Sequence, residues 1–218
     1  TTEIYTLSLH DALPIYRWEW VFHEGIDRHT VNNDLEAAVA DRLDLQAQVK
    51  MKLFDEKHAE FISQVAGHEE TLQDYTEDAV LKLFNDLNVY YTNIEAVGTP
   101  VAKCRPQLYN AIVDHPLTTR EKNSSADIDQ NEIYMFKDII IQKAPERLFQ
   151  DGEVAYIYIP GVAKAFTGIN TARTIESEDF DGVALQGAGK AGEYIPEDNK
   201  AAVVKVTFSG GSGGGVEG

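Results

Sequence analysis

Between Gly25 and Gly67 the chain contains neither proline nor glycine. Within that interval "NNDLEAAVADRLDLQAQVKMKLFDEKHAEFISQVAG" sets Leu35, Val39, Leu43, Ala47, Phe54, Phe61 and Val65 at helical spacing. Asp41, Asp44, Lys50, Lys52, Glu56, Lys57 and Glu60 fill much of the rest. Asn33 stands in an N-cap position, with Glu36 where a capping box needs its carboxylate. A single helix over Asn33–Ala66 would be about 50 Å long at 1.5 Å per residue, well beyond an average helix. The apolar stripe is too irregular for heptads. The expectation is therefore a helix that spans a small domain with this stripe buried, and the rest of the fold must be built around it.

The flanking segments predict a mixture of helices and strands. "YRWEWVFHEG" alternates Trp18, Trp20 and Phe22 with Arg17, Glu19 and Val21, the pattern of a strand with one aromatic face, ended by Gly25. A second helix is expected over Thr76–Val97, with Asp74 and Glu77 as a capping pair and Val80, Leu83, Phe84, Leu87, Tyr91, Ile94 and Val97 on one face. Gly98 and Pro100 stop it. "PQLYNAIVDHP" suggests a short helix with Leu108, Ile112 and Val113 inward, and "REKNSSADIDQNE" a polar loop. "IYMFKDIIIQKAP", "GEVAYIYIPGVAKAF", "RTIESEDF" and "AAVVKVTF" read as strands, being rich in β-branched and aromatic residues. No internal repeat is visible, and the order of elements makes an α+β chain.

Composition narrows the function. The 218 residues carry a net charge of −17, against the basic stripe that a nucleic-acid grip requires. A hydrophobic fraction of 43% and ten tyrosines argue for a packed core. No stretch approaches the roughly eighteen apolar residues of a membrane span. Cys104 is the single cysteine, so no internal disulfide forms, and synthesis in a reducing cytosol follows.

Each motif with chemical meaning fails a requirement. "GAGKAG" at Gly187–Gly192 satisfies GxGxxG, but Tyr194, Ile195 and Pro196 follow where a helix should open. As a phosphate loop it has Ala191 where a hydroxyl should meet Mg²⁺; a glycine-rich turn between strands is the plainer expectation. "SEDFDG" resembles the start of a Ca²⁺ loop through Asp179, Asp181 and Gly182, yet Ser177 takes the first ligand position and Ala188 the twelfth. His23, Glu24, Asp27 and His29 match no zinc spacing and are expected on a connecting loop. His58 has no ligand partner four residues away. Cys104, Asp114 and His115 do not form an activated nucleophile, because adjacent Asp and His cannot readily orient each other. No catalytic, cofactor-binding or metal-binding residue is assigned, and no enzymatic activity is expected.

The opening "TTEIYTLSLHDALPI" has a different origin. Every codon of one reading frame of a short-read sequencing adapter yields the residue found there, and the adapter's last base begins the codon of Tyr16. Residues 1–15 are therefore read as a sequencing scar and set aside from fold reasoning. Without Glu3 and Asp11 the remainder carries −15. On this reading the protein begins upstream and the chain is its C-terminal part.

Three stretches carry a resemblance: "EGIDRHTVNNDLEAAVADRLDLQAQ", "YNAIVDHPLTT" and "GINTARTIESEDFDGVALQGAGKAGEYIPEDNKAAVVKV". They resemble the major capsid proteins of tailed bacteriophages with the Hong Kong 97-type fold, over about Tyr16 to Phe208. The resemblance implies an α+β fold with a long spine helix, a peripheral domain, an axial domain around capsomer axes, and here a missing N-terminal arm. Residues 16–32 would be the remnant of an extended loop, its descending strand left without a partner, plus a connector. Residues 33–70 and 173–208 would form the peripheral domain, 71–172 the axial domain and 209–218 a flexible Gly-rich tail. No lysine remains in the surviving loop strand, so no cross-linking chemistry is carried over.

The implied role is structural: a subunit that assembles with copies of itself into capsomers enclosing double-stranded DNA, without sequence-specific binding. Scaffold, portal or decoration proteins would be further partners, the virion capsid its location, and the bacterial host cytoplasm its place of synthesis. A net negative charge suits an inner wall that repels DNA weakly. Two alternatives stand beside this role: an encapsulin-type compartment shell, which resembles the same fold, and a nucleotide-binding enzyme using Gly187–Gly192.

If residues 1–15 are a scar, deleting them leaves the thermal midpoint within a few degrees, since about 1 kcal/mol moves it by that much in a chain of this size. Differential scanning fluorimetry of the two forms checks this; a fall of about ten degrees or more would show that real structure had been discarded.

Overall fold

The structure, a computed structural model, describes residues 16–29, 34–120, 126–127 and 132–209. The opening peptide, Asn33, most of the polar loop after Arg120 and the Gly-rich tail from Gly210 lie outside the described residues. In chain order the elements are β1 (Tyr16–Asp27), α1 (Leu35–Gln64), β2 (His68–Leu72), α2 (Glu77–Asn93), β3 (Val101–Cys104), α3 (Pro106–Val113) and α4 (Pro116–Arg120). There follow β4 (Ala126–Asp127), β5 (Glu132–Ile133), β6 (Met135–Phe136), β7 (Ile139–Lys143), β8 (Glu153–Tyr158), β9 (Lys164–Glu176), β10 (Gly182–Tyr194) and β11 (Val203–Phe208). The architecture is α+β, as expected. It divides into two compact units, one built from residues up to Phe54 with Lys164–Pro196, the other from Asp55–Ala163 and the residues from Glu197 on.

α1 is unbroken over 30 residues. Its cap is Asp34, whose carboxylate accepts the Ala37 N–H at 3.1 Å. Residues Leu35–Phe54 belong to the first unit and Asp55–Gln64 to the second. The expected apolar stripe is buried less than its spacing implies. Leu43 is 37% exposed, and Leu45, Val49 and Met51 are exposed too. In the first unit the middle turns of α1 meet the sheet through long polar side chains: Gln46 donates to Glu24 at 2.9 Å, Arg42 pairs with Glu24 at 3.1 Å, and Lys50 donates to Asn170 at 2.9 Å.

The first unit has a three-stranded antiparallel sheet in the order β1-β10-β9. β1 is not an unpartnered loop strand: it pairs with β10 along its whole length, from Tyr16 opposite Glu193 to Asp27 opposite Gly182. Gly25 does not end it. Nor are its aromatics exposed. Trp18 and Trp20 are 9% and 8% exposed and pack with Ala191, Leu53 and Phe54. The Trp18 ring stands edge-on to Phe54 with centroids 4.4 Å apart, and the Lys50 ammonium lies 4.4 Å from the Trp20 ring centroid. A second cluster joins Ile26, Val183 and Leu185 to Leu35, Ala38 and Val39.

The second unit has a six-stranded mixed sheet in the order β2-β11-β8-β3-β7-β6. β11 lies between β2, to which it is parallel, and β8, to which it is antiparallel. The resemblance implies that Arg173–Phe208 completes one sheet, but residues 203–208 do not join the sheet that holds β10. The pairing of β11 with β2 and β8 places them with the second unit. α2 buries Val80, Leu83, Phe84, Leu87 and Tyr91 as its spacing predicts. It stops at Asn93, because Glu95 turns left-handed (φ 52°) and the Ala96 N–H reaches back to the Tyr91 carbonyl; Val97 is left 92% exposed. α3 buries Leu108, Ile112 and Val113. Asp74 accepts both the N–H and the hydroxyl of Thr76, which lowers its pKa, and Thr76 caps α2. The segment read as one strand after Ile133 is interrupted by a two-residue turn, Lys137–Asp138, with φ of 49° and 64°. Asn88 holds that turn from α2 through the Lys137 carbonyl and the Asp138 carboxylate.

The last turn of α1 is fastened to the second sheet by a buried polar contact. Ser63 donates to the Glu153 carboxylate at 2.7 Å, and the Gln150 N–H donates to its other oxygen at 2.9 Å. Glu153 is 1% exposed, and burial raises its pKa above the ordinary carboxylate value against the pull of both hydrogen bonds. Folding thus prefers the protonated form. The stabilising contribution is complete below the unfolded carboxylate range and is lost as pH rises through the folded value. Glu153→Gln, which cannot ionise and can still serve both partners, should match the wild-type thermal midpoint near about pH 4, around the free glutamate pKa. It should exceed the wild type by a margin that widens toward neutral pH. A margin that shrinks as pH rises would show that the charged carboxylate is the favoured form.

Candidate assembly surface

The residues singled out by motif do not converge on a reaction centre. Gly187–Gly192 is neither a turn between strands nor a strand-to-helix loop; it lies within β10. A Cβ on Gly187 would collide with the Phe22 ring, and one on Gly189 with the Trp20 indole. The glycines are there so that aromatic rings on β1 can lie against the backbone of the neighbouring strand. "SEDFDG" forms the turn from β9 to β10, closed by the Ser177 N–H on the Gly182 carbonyl, and Asp181 faces Arg28 at 3.6 Å and His29 at 3.4 Å. His23, Glu24 and Asp27 lie on β1 itself rather than on a loop, with His23 and Glu24 on opposite faces.

Cys104 is fully buried in β3, and burial pushes its thiol up to about 12. His115 accepts the Leu117 N–H on Nδ1, so Nε2 carries the proton and donates to the Glu77 carbonyl at 3.1 Å. His58 stands edge-on to Tyr158. Among the described residues no three His, Cys, Asp or Glu side chains are grouped to hold a metal, and no helix is long and apolar enough to cross a membrane.

What the structure assembles is a surface. Alternation along β1 sends Trp18, Trp20 and Phe22 to one face of the three-stranded sheet and Arg17, Glu19, Val21 and His23 to the other. On that second face the pairing sets Gly192, Lys190, Ala188 and Gln186 beside them. Beyond β10 come Phe166, Thr171 and Arg173 on β9, an edge strand whose side chains are all exposed. Two grooves run over this face: one of about 490 Å³ bordered by Val21, His23, Arg173 and Gln186, the other of about 350 Å³ bordered by Arg17, Glu19, Phe166 and Lys190. Val21 is 76% exposed, and Phe166, Ile169 and Ile175 are exposed as well. Lys190 pairs with Glu19 at 2.7 Å, and Arg173 donates to the Gln186 side-chain oxygen at 2.9 Å. Exposed apolar side chains beside arginines are the makings of a protein–protein contact. Sequence reasoning noted the alternation in β1 but could not place Arg173 beside it.

Solved structures place this arrangement in context. The chain is similar to the capsid protein of cyanophage P-SCSP1u, with a TM-score of 0.72 and 10% identity over 91% of this chain and 74% of that one. It is similar to the bacteriophage PhiM1 mature capsid subunit, with a TM-score of 0.69 and 10% identity over 88% and 71%. Similarity to a chain of Mycobacterium phage Che8 gives a TM-score of 0.65 and 14% identity over 87% and 70%. No protein-family model matches the chain, and no curated protein does. The chain has the phage capsid fold, with its helices and mixed sheets in that arrangement.

Gly189→Val forces the Trp20 ring off β10. The expected loss is about 1–3 kcal/mol, the usual cost of overpacking a filled site, seen as a fall of several degrees in the thermal midpoint. Combining it with Trp20→Leu should cost less than the two single losses added together, because the collision disappears. Strict additivity would show that the two residues do not meet.

Proposed function

We propose that this chain is a structural subunit of a phage capsid shell, one that assembles with copies of itself into capsomers enclosing double-stranded DNA. The observation that carries this reading is the capsid fold, matched over nine-tenths of the chain in the cyanophage structure. On this reading α1 is the spine helix, the unit containing β1, β9 and β10 is the peripheral domain, and the unit with the six-stranded sheet is the axial domain. The role is structural rather than enzymatic. The glycine motif serves packing, and the lone thiol is buried with its pKa raised.

Its partners are other copies of the chain, with scaffold, portal or decoration proteins as further candidates. Its place is the virion capsid after synthesis in the bacterial host cytoplasm. The charge of −17 supports enclosure of DNA without adhesion to it.

Like charge opposes close approach of subunits, and salt screens it beyond about 10 Å at 0.1 M. Self-association of the purified chain should therefore grow with concentration and with ionic strength, giving pentamers or hexamers rather than closed shells by light scattering and negative-stain microscopy. A chain that stays monomeric at every concentration and salt would defeat the shell reading. Particles that enclose a protein cargo rather than nucleic acid would favour a compartment shell.

A further inference from the structure

We propose that Arg105 is the counter-ion that Glu153 recruits when it loses its proton, so that a buried carboxyl on β8 drives a swing of the guanidinium beside it. The proposal rests on the second unit alone and stands whether or not the chain builds a shell.

The two side chains grip the same residue from two sides. Nη2 of Arg105 donates to the Gln150 carbonyl at 3.1 Å, and the Gln150 N–H donates to Glu153 at 2.9 Å. The backbone N–H of Arg105 also reaches the carbonyl of Val154, the residue after Glu153, at 2.9 Å. Arg105 stands just ahead of α3, with its guanidinium 5.5 Å from the Phe149 ring centroid. Its Nε–H is buried and has no acceptor among the described residues. An idle buried donor is costly, and an ionised acceptor brought to it makes a short, strong hydrogen bond.

Glu153 is the group that can supply that acceptor. It is 1% exposed. Burial raises its pKa, against the hydrogen bonds from Gln150 and Ser63 and against the charges of Lys205 and Arg105. The other titratable groups around it are engaged elsewhere or neutral. Lys205 on β11 pairs with Glu69 at 3.4 Å. Burial pushes the Tyr156 phenol on β8 up, so it stays uncharged. Asp55 on α1, a further negative charge near that phenol, faces Arg147 at 3.9 Å.

Two states follow. With its proton, the Glu153 carboxyl donates to the Ser63 hydroxyl oxygen, whose own hydrogen turns to a carbonyl one turn back in α1, and Arg105 stays on Gln150. Without it, the carboxylate accepts from Ser63, from the Gln150 N–H and from the Arg105 Nε–H. The swing takes the guanidinium off the Gln150 carbonyl and the Phe149 ring. The segment from Glu146 to Gln150 keeps its contacts through Gln107 with Glu146 and Arg147 with Glu56, but loses its tie to Arg105. A change of charge at a fully buried site is thereby passed to a segment at the surface.

The test follows the Glu153 carboxyl carbon and the Arg105 Nε–H by NMR in the full chain from about pH 4 to about pH 9, the span from a free to a deeply buried glutamate. As Glu153 loses its proton, the Arg105 Nε–H should shift downfield with the same midpoint and exchange more slowly with water. Glu153→Gln assigns the carboxyl resonance and should abolish both changes. Arg105→Met should move the Glu153 midpoint up by about one pH unit or more, about tenfold in the ratio of ionised to protonated carboxyl, and Lys205→Met should move it less. Thermal midpoints within a few degrees of wild type at about pH 4, where a buried glutamate keeps its proton, confirm that the variants fold; if Arg105→Met does not fold, the wild-type Arg105 resonance decides. An Arg105 Nε–H that does not respond as Glu153 titrates overturns the proposal. So does a Lys205→Met shift that equals or exceeds that of Arg105→Met, or a Glu153 that keeps its proton up to about pH 9.

Discussion

The first unit depends on the contact of the β1 aromatics with the bare backbone of β10. A three-stranded sheet and part of one helix cannot supply a deep core, so large rings must provide most of the buried apolar area. Trp18, Trp20 and Phe22 do so only because Ala191, Gly189 and Gly187 stand opposite them. A side chain at either glycine would push a ring away. The arrangement has a cost: neither indole N–H has an acceptor among the described residues, and an unsatisfied buried donor typically costs about 1–3 kcal/mol. Burial of the rings and the Lys50 ammonium over Trp20 offset it.

The same alternation determines what the other face offers. Once the rings turn toward α1, the intervening β1 residues face solvent with the small side chains of β10 between them and β9. The result is two grooves, one bordered by Val21 and Arg173 and the other by Arg17 and Phe166, with polar side chains between them. The two faces are set by alternate residues of β10: Gly187, Gly189 and Ala191 admit the rings on one side, while Gln186, Ala188 and Lys190 lie on the other. In the second unit the tie is different. There Glu153 on β8, Ser63 and the Gln150 N–H satisfy one another, so the end of α1 is held by a polar contact together with the buried Ala59, Phe61 and Ile62 side chains.

Several features were legible in the sequence because they are local. The unbroken helix follows from an interval without glycine or proline. The buried faces of α2 and α3 follow from their spacing, and the aromatic face of β1 from its alternation. The phrases resembling capsid proteins agree with the fold, although identity to the solved capsid structures is only 10–14%.

Tertiary structure decided the rest, since each remaining feature depends on a partner far along the chain. Gly187–Gly192 has the composition of a turn, since glycine disfavours strands, yet it lies within β10 because rings on β1 replace the missing side chains. β11 looked like a continuation of the β10 sheet and instead lies between β2 and β8. Leu43 has the spacing of a core residue, yet it is exposed, because Gln46, Lys50 and Arg42 make the contacts of the middle turns. Arg17 and Arg173 are anonymous surface arginines until β1 and β9 come to lie on either side of β10. Periodicity records which side of an element is apolar; it does not record which distant strand will cover that side, and that pairing is what builds this face.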